Sequence, residues 1–274
     1  METLHIFDEF KESEYETTLE TRHQKRMALE PLIFDILKRK YGRFLREKFQ
    51  TVEIPATSEK CILLIERRIH PNLEFLLHNI AYFAPGWSIC FVCSDVNLAY
   101  CKEIARPNQG SIQFLPVFHG SPGRDQARDD YNQLLKSKEF YQSLPWKHLW
   151  ICQTDSYLRK QIPDSIFQYD FFAAPAIWDT SEMVGGMSYR NRDAMIKICS
   201  EYSESISSED VFISKGAKAL GLHLPVFEEA LQIISESCLY EDPIGVHQWW
   251  TFFFIDLEDA ELIFHSYLQF EVRT

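Results

Sequence analysis

The sequence lacks an excess of basic residues. It has 28 Lys and Arg against 40 Asp and Glu, which gives a formal net charge of −12. A chain so charged is repelled by phosphate backbones and anionic lipid, so we expect no nucleic-acid partner. The densest basic stretch, residues 38–48, has the apolar spacing of a helix and is explained by a solvated helix face.

Long apolar runs and paired cysteines are also missing. No stretch has the length of a transmembrane helix, and the first residues are too acidic and polar for a signal peptide, so we expect no membrane span and a cytoplasmic protein. The 7 cysteines are odd in number. Because most of them lie in apolar runs, reduced core thiols explain them better than disulfides, even though Cys90 and Cys93 have the C-x-x-C spacing.

Aromatic residues, in contrast, are abundant at 14% of the chain. Most of these rings are expected to fill the core, although rings also stack on the CH faces of sugars. We divide the chain into a helical N-terminal arm, residues 1–55, and one large domain, residues 56–274. Pro31 is expected at the first position of the arm's main helix, which packs on the domain or on a partner.

The large domain begins with strands that alternate with helices. Its strands are predicted at Cys61–Ile65, Ser88–Cys93, Ile112–Val117 and His148–Thr154. Its helices are predicted at 71–83, 96–104, 125–143, 191–202, 209–220 and 257–269. This alternation predicts an α/β fold with a mostly parallel sheet and helices on both faces, in which ligands bind beyond the carboxyl ends of the strands.

Asp155 and His247 are the first candidates for chemistry. Asp155 ends the run HLWICQTDS and should project from the carboxyl edge of a central strand, although an Asp there can equally cap a helix. His247 lies among aromatic residues, where a satisfied core histidine is the commoner arrangement. An imidazole beside carboxylate and phosphate oxygens is nevertheless acceptable to manganese.

Two residue pairs complete the set. Gly185-Gly186 predicts a turn, and adjacent glycines also permit close approach of the backbone to a ligand. Glu209-Asp210 follows two serines at a predicted helix start, where acids favour the helix dipole. An acid in that place can also accept a proton from an acceptor hydroxyl.

The order of these features resembles the core landmarks of GT-A glycosyltransferases. In closer detail the chain is similar to a family of uncharacterised glycosyltransferase-like domains that is frequent in large DNA viruses, algae and fungi. The matching stretches are ILLIERRIHPNLEFLLHNIAYFAPGW, YNQLLKSKEFYQSL, WICQTDSYLRK, VGGMSYRNRDAMIKIC, SEDVFIS and GVHQWW. They span roughly residues 60 to 250.

The resemblance implies a GT-A fold, Rossmann-like with an N-terminal helical extension, and a bound Mn²⁺ or Mg²⁺. Asp155 matches the last acid of the DxD motif that holds the cation on the donor's diphosphate, and His247 matches the histidine that completes the metal shell. The first DxD position is Gln153, which is a poorer metal ligand than a carboxylate. The cation would therefore be held mainly by Asp155, His247 and the diphosphate.

The same resemblance assigns the donor site and the base. The donor or nucleotide site would comprise Glu66, Arg67, Arg68, Gln153, Thr154, Asp155, Gly185 and Gly186. Asp210 matches the catalytic base of inverting transferases, and Glu209 is its neighbour in the catalytic pair. Arg124 and Arg190 are further candidates for phosphate contacts. Because no matched motif precedes residue 60, the arm is expected to be dispensable for nucleotide binding.

These assignments predict transfer of a sugar from a nucleotide-sugar, most simply a UDP-sugar, to a hydroxyl of a glycan or glycoprotein acceptor, with inversion. A non-catalytic nucleotide-sugar or glycan-binding module of the same fold is the alternative, which the glutamine at position 153 favours. A nucleotidyltransferase ranks last, because ERRIHPN rather than a glycine-rich loop follows the first strand. The oligomeric state and a virus-encoded origin stay open.

Overall fold

A central sheet with flanking helices organises the molecule. The computed structural model describes residues 22–253 and 259–272. The strands are β1 Lys60–Ile65, β2 Ser88–Ser94, β3 Gln113–Phe118, β4 His148–Cys152, β5 Ser156–Leu158, β6 Phe171–Pro175, β7 Met183–Asn191, β8 Ile234–Ser235 and β9 Gly245–His247. The α-helices are α1 Arg22–Phe49, α2 Leu73–Phe83, α3 Leu98–Ile104, α4 Arg124–Leu135, α5 Lys138–Ser143, α6 Arg192–Glu201, α7 Glu209–Ala219, α8 Phe227–Ile233 and α9 Ala260–Tyr267.

The main sheet has six strands in the order β3-β2-β1-β4-β7-β6. β1 pairs in parallel with β2 and with β4, and β2 pairs in parallel with β3. β7 is antiparallel to both of its neighbours, β4 and β6. β1, β2 and β4 are continuous apolar runs because both of their faces are buried. The predicted α/β class, with helices flanking a central sheet, is therefore confirmed.

A smaller sheet carries the end of the chain back to the main sheet. Its strand order is β5-β9-β8. β5 follows β4 directly, and Ser156 of β5 pairs with His247 of β9. This pairing is what brings the residues around Asp155 and His247 together, although they are far apart in sequence.

Helix α1 packs on the domain. Its buried face belongs to the same hydrophobic core as the sheet, and it contacts α2 and the 3₁₀ turn Trp249–Thr251. The residues of α1 that are almost fully buried are Leu29, Ile33, Phe34, Leu37, Leu45 and Phe49. The domain boundary at residue 55 stays a prediction, but α1 is a structural layer of the fold.

Three local predictions were wrong. Pro31 does not start a helix: α1 runs through it, because the apolar face on either side is anchored in the core. Gly185-Gly186 is not a turn but lies within β7, at the point where the pairing of β7 with β6 shifts register. The helix expected over 125–143 is two helices, because the Ser137 hydroxyl accepts a 3.1 Å hydrogen bond from the Phe140 amide and caps α5.

The end of the chain was predicted as one helix over 257–269. Residues 254–258 lie outside the described residues, and the described helix is α9. Within the described ranges, no helix combines the length and the apolar character that a membrane crossing requires. The cysteines of these ranges carry free thiols, as expected.

Candidate functional site

A cleft of about 520 Å³ opens at the carboxyl end of β4. Parallel α/β sheets bind ligands at this edge. The residues singled out in the sequence that line it are Arg124, Gln153, Gly185, Gly186, Glu209, Asp210 and His247. The other candidates, Glu66, Arg67, Arg68, Thr154, Asp155 and Arg190, are not part of its lining. Residues separated by almost a hundred positions in the sequence therefore line the same cleft. The order of these residues in the sequence had suggested that they form one site.

His247 is held between two carboxylates. Its Nε2 lies 3.1 Å from Oδ1 of Asp155, and its Nδ1 lies 2.9 Å from Oε2 of Glu236. All three side chains are almost completely buried. Arg26, from α1, donates from Nη2 to the other oxygen of Asp155. The arrangement is a buried chain of alternating charge that ends in a cation from the N-terminal helix.

The charges of these neighbouring side chains set the protonation states of His247 and Asp155. Burial alone would lower the pKa of His247, but Glu236 and Asp155 outweigh burial and raise that pKa to about 10. Burial alone would raise the pKa of Asp155, but His247 and Arg26 hold it well below the usual value. At neutral pH the imidazole is therefore protonated, with a hydrogen bond from Nε2 to Asp155 and an ion pair between Nδ1 and Glu236.

Gly185 and Gly186 of β7 have no side chains, and they leave the space that the side chains of Glu236, His247 and Gln153 occupy. Gly185 has a φ of 114°, and a Cβ on it would overlap the Glu236 carboxylate and lie 3.2 Å from Nδ1 of His247. A Cβ on Gly186 would overlap the side chain of Gln153. The pair thus allows close approach between backbone and side chains, as predicted, although within a strand rather than in a turn.

Asp210 begins α7 and faces the same cleft. Its Oδ2 accepts a hydrogen bond of 3.1 Å from the Gly185 amide, and its Oδ1 accepts one of 2.8 Å from the Val211 amide. The Ser208 hydroxyl donates to Oδ1 as well. The carboxylate is half-buried, so it is oriented by these donors and still reaches the cleft.

Glu209 is tied down in a different way. Its Oε2 accepts a 2.8 Å hydrogen bond from Nη2 of Arg190, whose side chain is fully buried. Burial raises the pKa of Glu209 to about 7, against the opposing effect of Arg190. Arg190 was a candidate for phosphate contact, but the structure places it behind Glu209, where it also donates to the Tyr141 hydroxyl. Its role is to hold the start of α7.

Glu66, Arg67 and Arg68 lie at the carboxyl end of β1, beside the cleft. Oε1 of Glu66 accepts hydrogen bonds of 2.8 Å from the amides of Arg67 and Arg68. Its Oε2 accepts one of 3.1 Å from the Thr154 hydroxyl and pairs with the Arg68 guanidinium at 2.8 Å. Arg67 is paired with Asp130 at 2.8 Å. Their mutual pairing ties the ends of β1 and β4 together, and their donor role stays a prediction.

Several cleft residues carry no signal in the sequence. Arg26, Glu236 and Gln248 reach the site through contacts between segments far apart in the chain. Gln248 has a φ of 30°, a left-handed conformation uncommon for a residue with a side chain. Its amide donates to the Asp155 carbonyl at 2.9 Å and its Nε2 to Oε1 of Glu236 at 3.2 Å. Strained backbone of this kind concentrates at functional sites.

The donor set can be tested against a divalent cation. The carboxylates of Asp155 and Glu236 lie on opposite nitrogens of His247, so they do not converge on one point. Accordingly, no group of three His, Cys, Asp or Glu side chains in the described ranges is arranged around one ion. Oδ1 of Asp155 and Nε2 of His247 are 3.1 Å apart, close to the ~3 Å between adjacent ligands of an octahedral ion. In the structure these two atoms face each other in a hydrogen bond, so they would hold one ion only after the Nε2 proton leaves and the side chains turn.

Comparison with known proteins finds a family match that includes part of the cleft lining. Residues 124–247 match the model of a family described as a protein of unknown function, DUF5672. No curated protein matches the chain. The matched range begins at Arg124 and ends at His247, both of which line the cleft. It therefore includes β4, the glycine pair and the start of α7, and it excludes Arg26.

Proposed function

We propose that this chain is a GT-A glycosyltransferase. It would move a sugar from a nucleotide-sugar donor, most simply a UDP-sugar, to a hydroxyl of a glycan or glycoprotein acceptor. The parallel run of β3, β2, β1 and β4, with helices around it, supports the fold part of the proposal. The cleft at the carboxyl edge of that run supports the functional part.

The observation that supports the proposal is that candidate residues far apart in the sequence lie together in the structure. The glycine pair of β7, the acids that begin α7 and the late histidine line one cleft, and the acid after β4, Asp155, is buried against that histidine. Resemblance alone predicted these as parts of one site, and their distances in sequence gave no physical reason for them to meet. A fold that used Asp155 only as a helix cap and His247 only as a core residue would not require a polar cleft beside them.

Asp210 is the base in this proposal. The acceptor hydroxyl oxygen bonds to the anomeric carbon of the donor while the bond from that carbon to the diphosphate oxygen breaks. The hydroxyl proton passes to the Asp210 carboxylate, and the nucleoside diphosphate leaves with the bonding electron pair. Because the Gly185 and Val211 amides fix the carboxylate, it is positioned before the acceptor arrives. A single displacement inverts the anomeric centre.

Asp155 and His247 would hold the divalent cation, which offsets the negative charge that develops on the leaving diphosphate. His247 must lose its Nε2 proton to act as a ligand. Cation binding is therefore expected to release a proton and to strengthen as pH rises. Glu236 remains on Nδ1 and orients the ring, as carboxylates on the second nitrogen of metal-bound histidines commonly do.

The test is turnover by an Asp210→Asn variant. UDP release from a panel of UDP-sugars would be measured with Mn²⁺ and a mixture of glycan acceptors. We expect the substitution to reduce turnover by roughly 10²- to 10⁴-fold, the usual effect of losing a general base. Asparagine keeps the shape and still accepts the Gly185 amide, so the fold should be retained.

The chain offers a matched control in Asp193. It is the second residue of α6, as Asp210 is of α7, and it is exposed and away from the cleft. Asp193→Asn removes the same interaction with a helix dipole, worth about 0.3–1 kcal/mol, and should leave turnover unchanged. If Asp210→Asn turned over sugar as fast as Asp193→Asn, Asp210 would be a capping residue and the proposed mechanism would be wrong.

A non-catalytic nucleotide-sugar-binding module is the second candidate. Gln153 favours it, because an amide stands where the motif has its first acid and packs against Gly186. Such a module would bind UDP-sugars in the same cleft without releasing UDP, so the turnover panel separates the two candidates.

A further inference from the structure

Among the described side chains of α1, Arg26 is the one cation that lines the cleft. About a third of its side chain is exposed, at 34%. Its Nη2 donates to Oδ2 of Asp155, while Oδ1 of the same carboxylate faces His247. The two oxygens of Asp155 are thus divided between the expected cation site and a guanidinium.

One edge of that guanidinium has an unused donor. Nε of Arg26 is buried and has no hydrogen-bond partner among the described residues. A buried donor without a partner is costly, and guanidinium edges match the oxygens of carboxylate and phosphate groups. The acidic side chains Asp210 and Glu236 line the cleft, and Arg124 and Arg128 line it together with Arg26, so an anion that enters it needs contact with these positive groups.

The position of Arg26 is fixed by the packing around it. The next turn of α1 is anchored in the core through Leu29, which is fully buried. The Trp250 indole donates to the Arg26 carbonyl at 3.3 Å, and Lys25 donates to the Phe253 carbonyl. The start of α1 is thereby joined to the segment after His247, which supplies more of the cleft wall. Arg26 is therefore held in a fixed position in the site by the surrounding structure.

We propose that Arg26 binds the diphosphate of the donor with the exposed part of its guanidinium, while Nη2 remains on Asp155. This rests on the proposed function, since it names a further ligand of the same donor. It also revises the expectation that the arm is dispensable for nucleotide binding. Asp155 then has two tasks: one oxygen serves the divalent cation, and the other orients the arginine.

The experiment is a calorimetric titration of the full chain with UDP, uridine and inorganic pyrophosphate, all in EDTA. Arg26→Gln removes the cation and keeps a polar side chain. We expect it to weaken UDP and pyrophosphate binding by about 10- to 100-fold, as befits one charge-assisted hydrogen bond, and to leave uridine binding unchanged. Arg39→Gln is the matched control, because Arg39 lies on the same helix, is 71% exposed and pairs only with Asp35 at i,i+4.

A double variant separates direct binding from simple neutralisation of Asp155. If Arg26 only cancels that charge, Arg26→Gln with Asp155→Asn should recover wild-type affinity for pyrophosphate. If Arg26 binds the phosphate itself, the double variant should stay as weak as the single one. Recovery, or unchanged binding by Arg26→Gln alone, overturns the inference.

The remaining outcomes distinguish this inference from the proposed function. If the chain bound pyrophosphate in an Arg26-dependent way but did not bind UDP, the anion site would be supported. The proposal that the donor is a nucleotide-sugar would then be wrong. No binding of either by the wild-type chain would overturn both. Should Arg26→Gln unfold, as thermal melting would reveal, Arg26→Lys takes its place: it keeps the ion pair, lacks the second donor of the edge, and is expected to show the same weakening.

Discussion

Replacing Gly185 by alanine tests the crowded centre of the site. A residue with a Cβ at a φ of 114° is strained by about 1–3 kcal/mol. The new methyl group would also overlap the Glu236 carboxylate, which must then move away from His247 at 2.9 Å and from Gln248 at 3.2 Å. Loss of a buried charged contact costs about 1.5–3 kcal/mol, so the total should reach roughly 2.5–6 kcal/mol.

Gly221→Ala is the matched control for this substitution. Gly221 also has a positive φ, of 63°, but a Cβ there would have no atom within 4 Å. Alanine at that position should cost only the left-handed backbone strain, about 1–2 kcal/mol. Urea unfolding followed by tryptophan fluorescence gives both free energies of unfolding.

A double variant isolates the steric part. In Gly185→Ala with Glu236→Ala the carboxylate is gone, so the overlap is relieved and the two effects should be less than additive. The reasoning would be refuted if Gly185→Ala were no more destabilising than Gly221→Ala, or if the double variant were fully additive.

Three further predictions follow from the same contacts. Phe34→Ala should cost about 3–5 kcal/mol in urea unfolding because Phe34 is almost fully buried, whereas Met27→Ala, on the exposed side of α1, should cost less than about 0.5. Asp155→Ala should abolish the gain in UDP affinity that Mn²⁺ gives in calorimetry; an equal gain in wild type and variant would contradict it. The pKa of His247 is raised in the fold from 6.5 to about 10, so its contribution to stability should be complete below pH 6.5 and decline between these values, and His247→Gln should lack this decline in pH-dependent unfolding.

The sequence allowed the first half of the sheet to be predicted well, for a physical reason. β1, β2 and β4 are buried on both faces, so their sequences are continuous apolar runs. Such a run is not expected in a strand or helix on the surface. The site residues could be predicted only as a set, through their order in the chain. Each of them could be recognised from the neighbouring sequence as a strand-end acid, a helix-start acid or a late histidine. Their proximity at one cleft, however, depends on the pairing of β5 with β9.

The contacts that could not be predicted join distant segments. Arg26 and Asp155 are 129 residues apart, and nothing in the polar spacing around Arg26 distinguishes it from the solvated arginines of the same helix. Glu236 directly follows the short strand β8 and has no motif around it. Glu209 was grouped with the base as a neighbour of Asp210; the structure adds a buried ion pair with Arg190, and the catalytic role of Glu209 stays a prediction. For that reason Glu209→Gln would be a poor control for Asp210→Asn, since it weakens the partner of a buried arginine.

The central claim is that this cleft binds a nucleotide-sugar. Its most direct test is a calorimetric titration of the full chain with a panel of UDP-sugars in the presence of Mn²⁺, compared with the same titration in EDTA. The account predicts saturable binding of one UDP-sugar per chain, tighter with Mn²⁺ than with EDTA. Absence of saturable binding for every UDP-sugar in the panel, under both conditions, would contradict it.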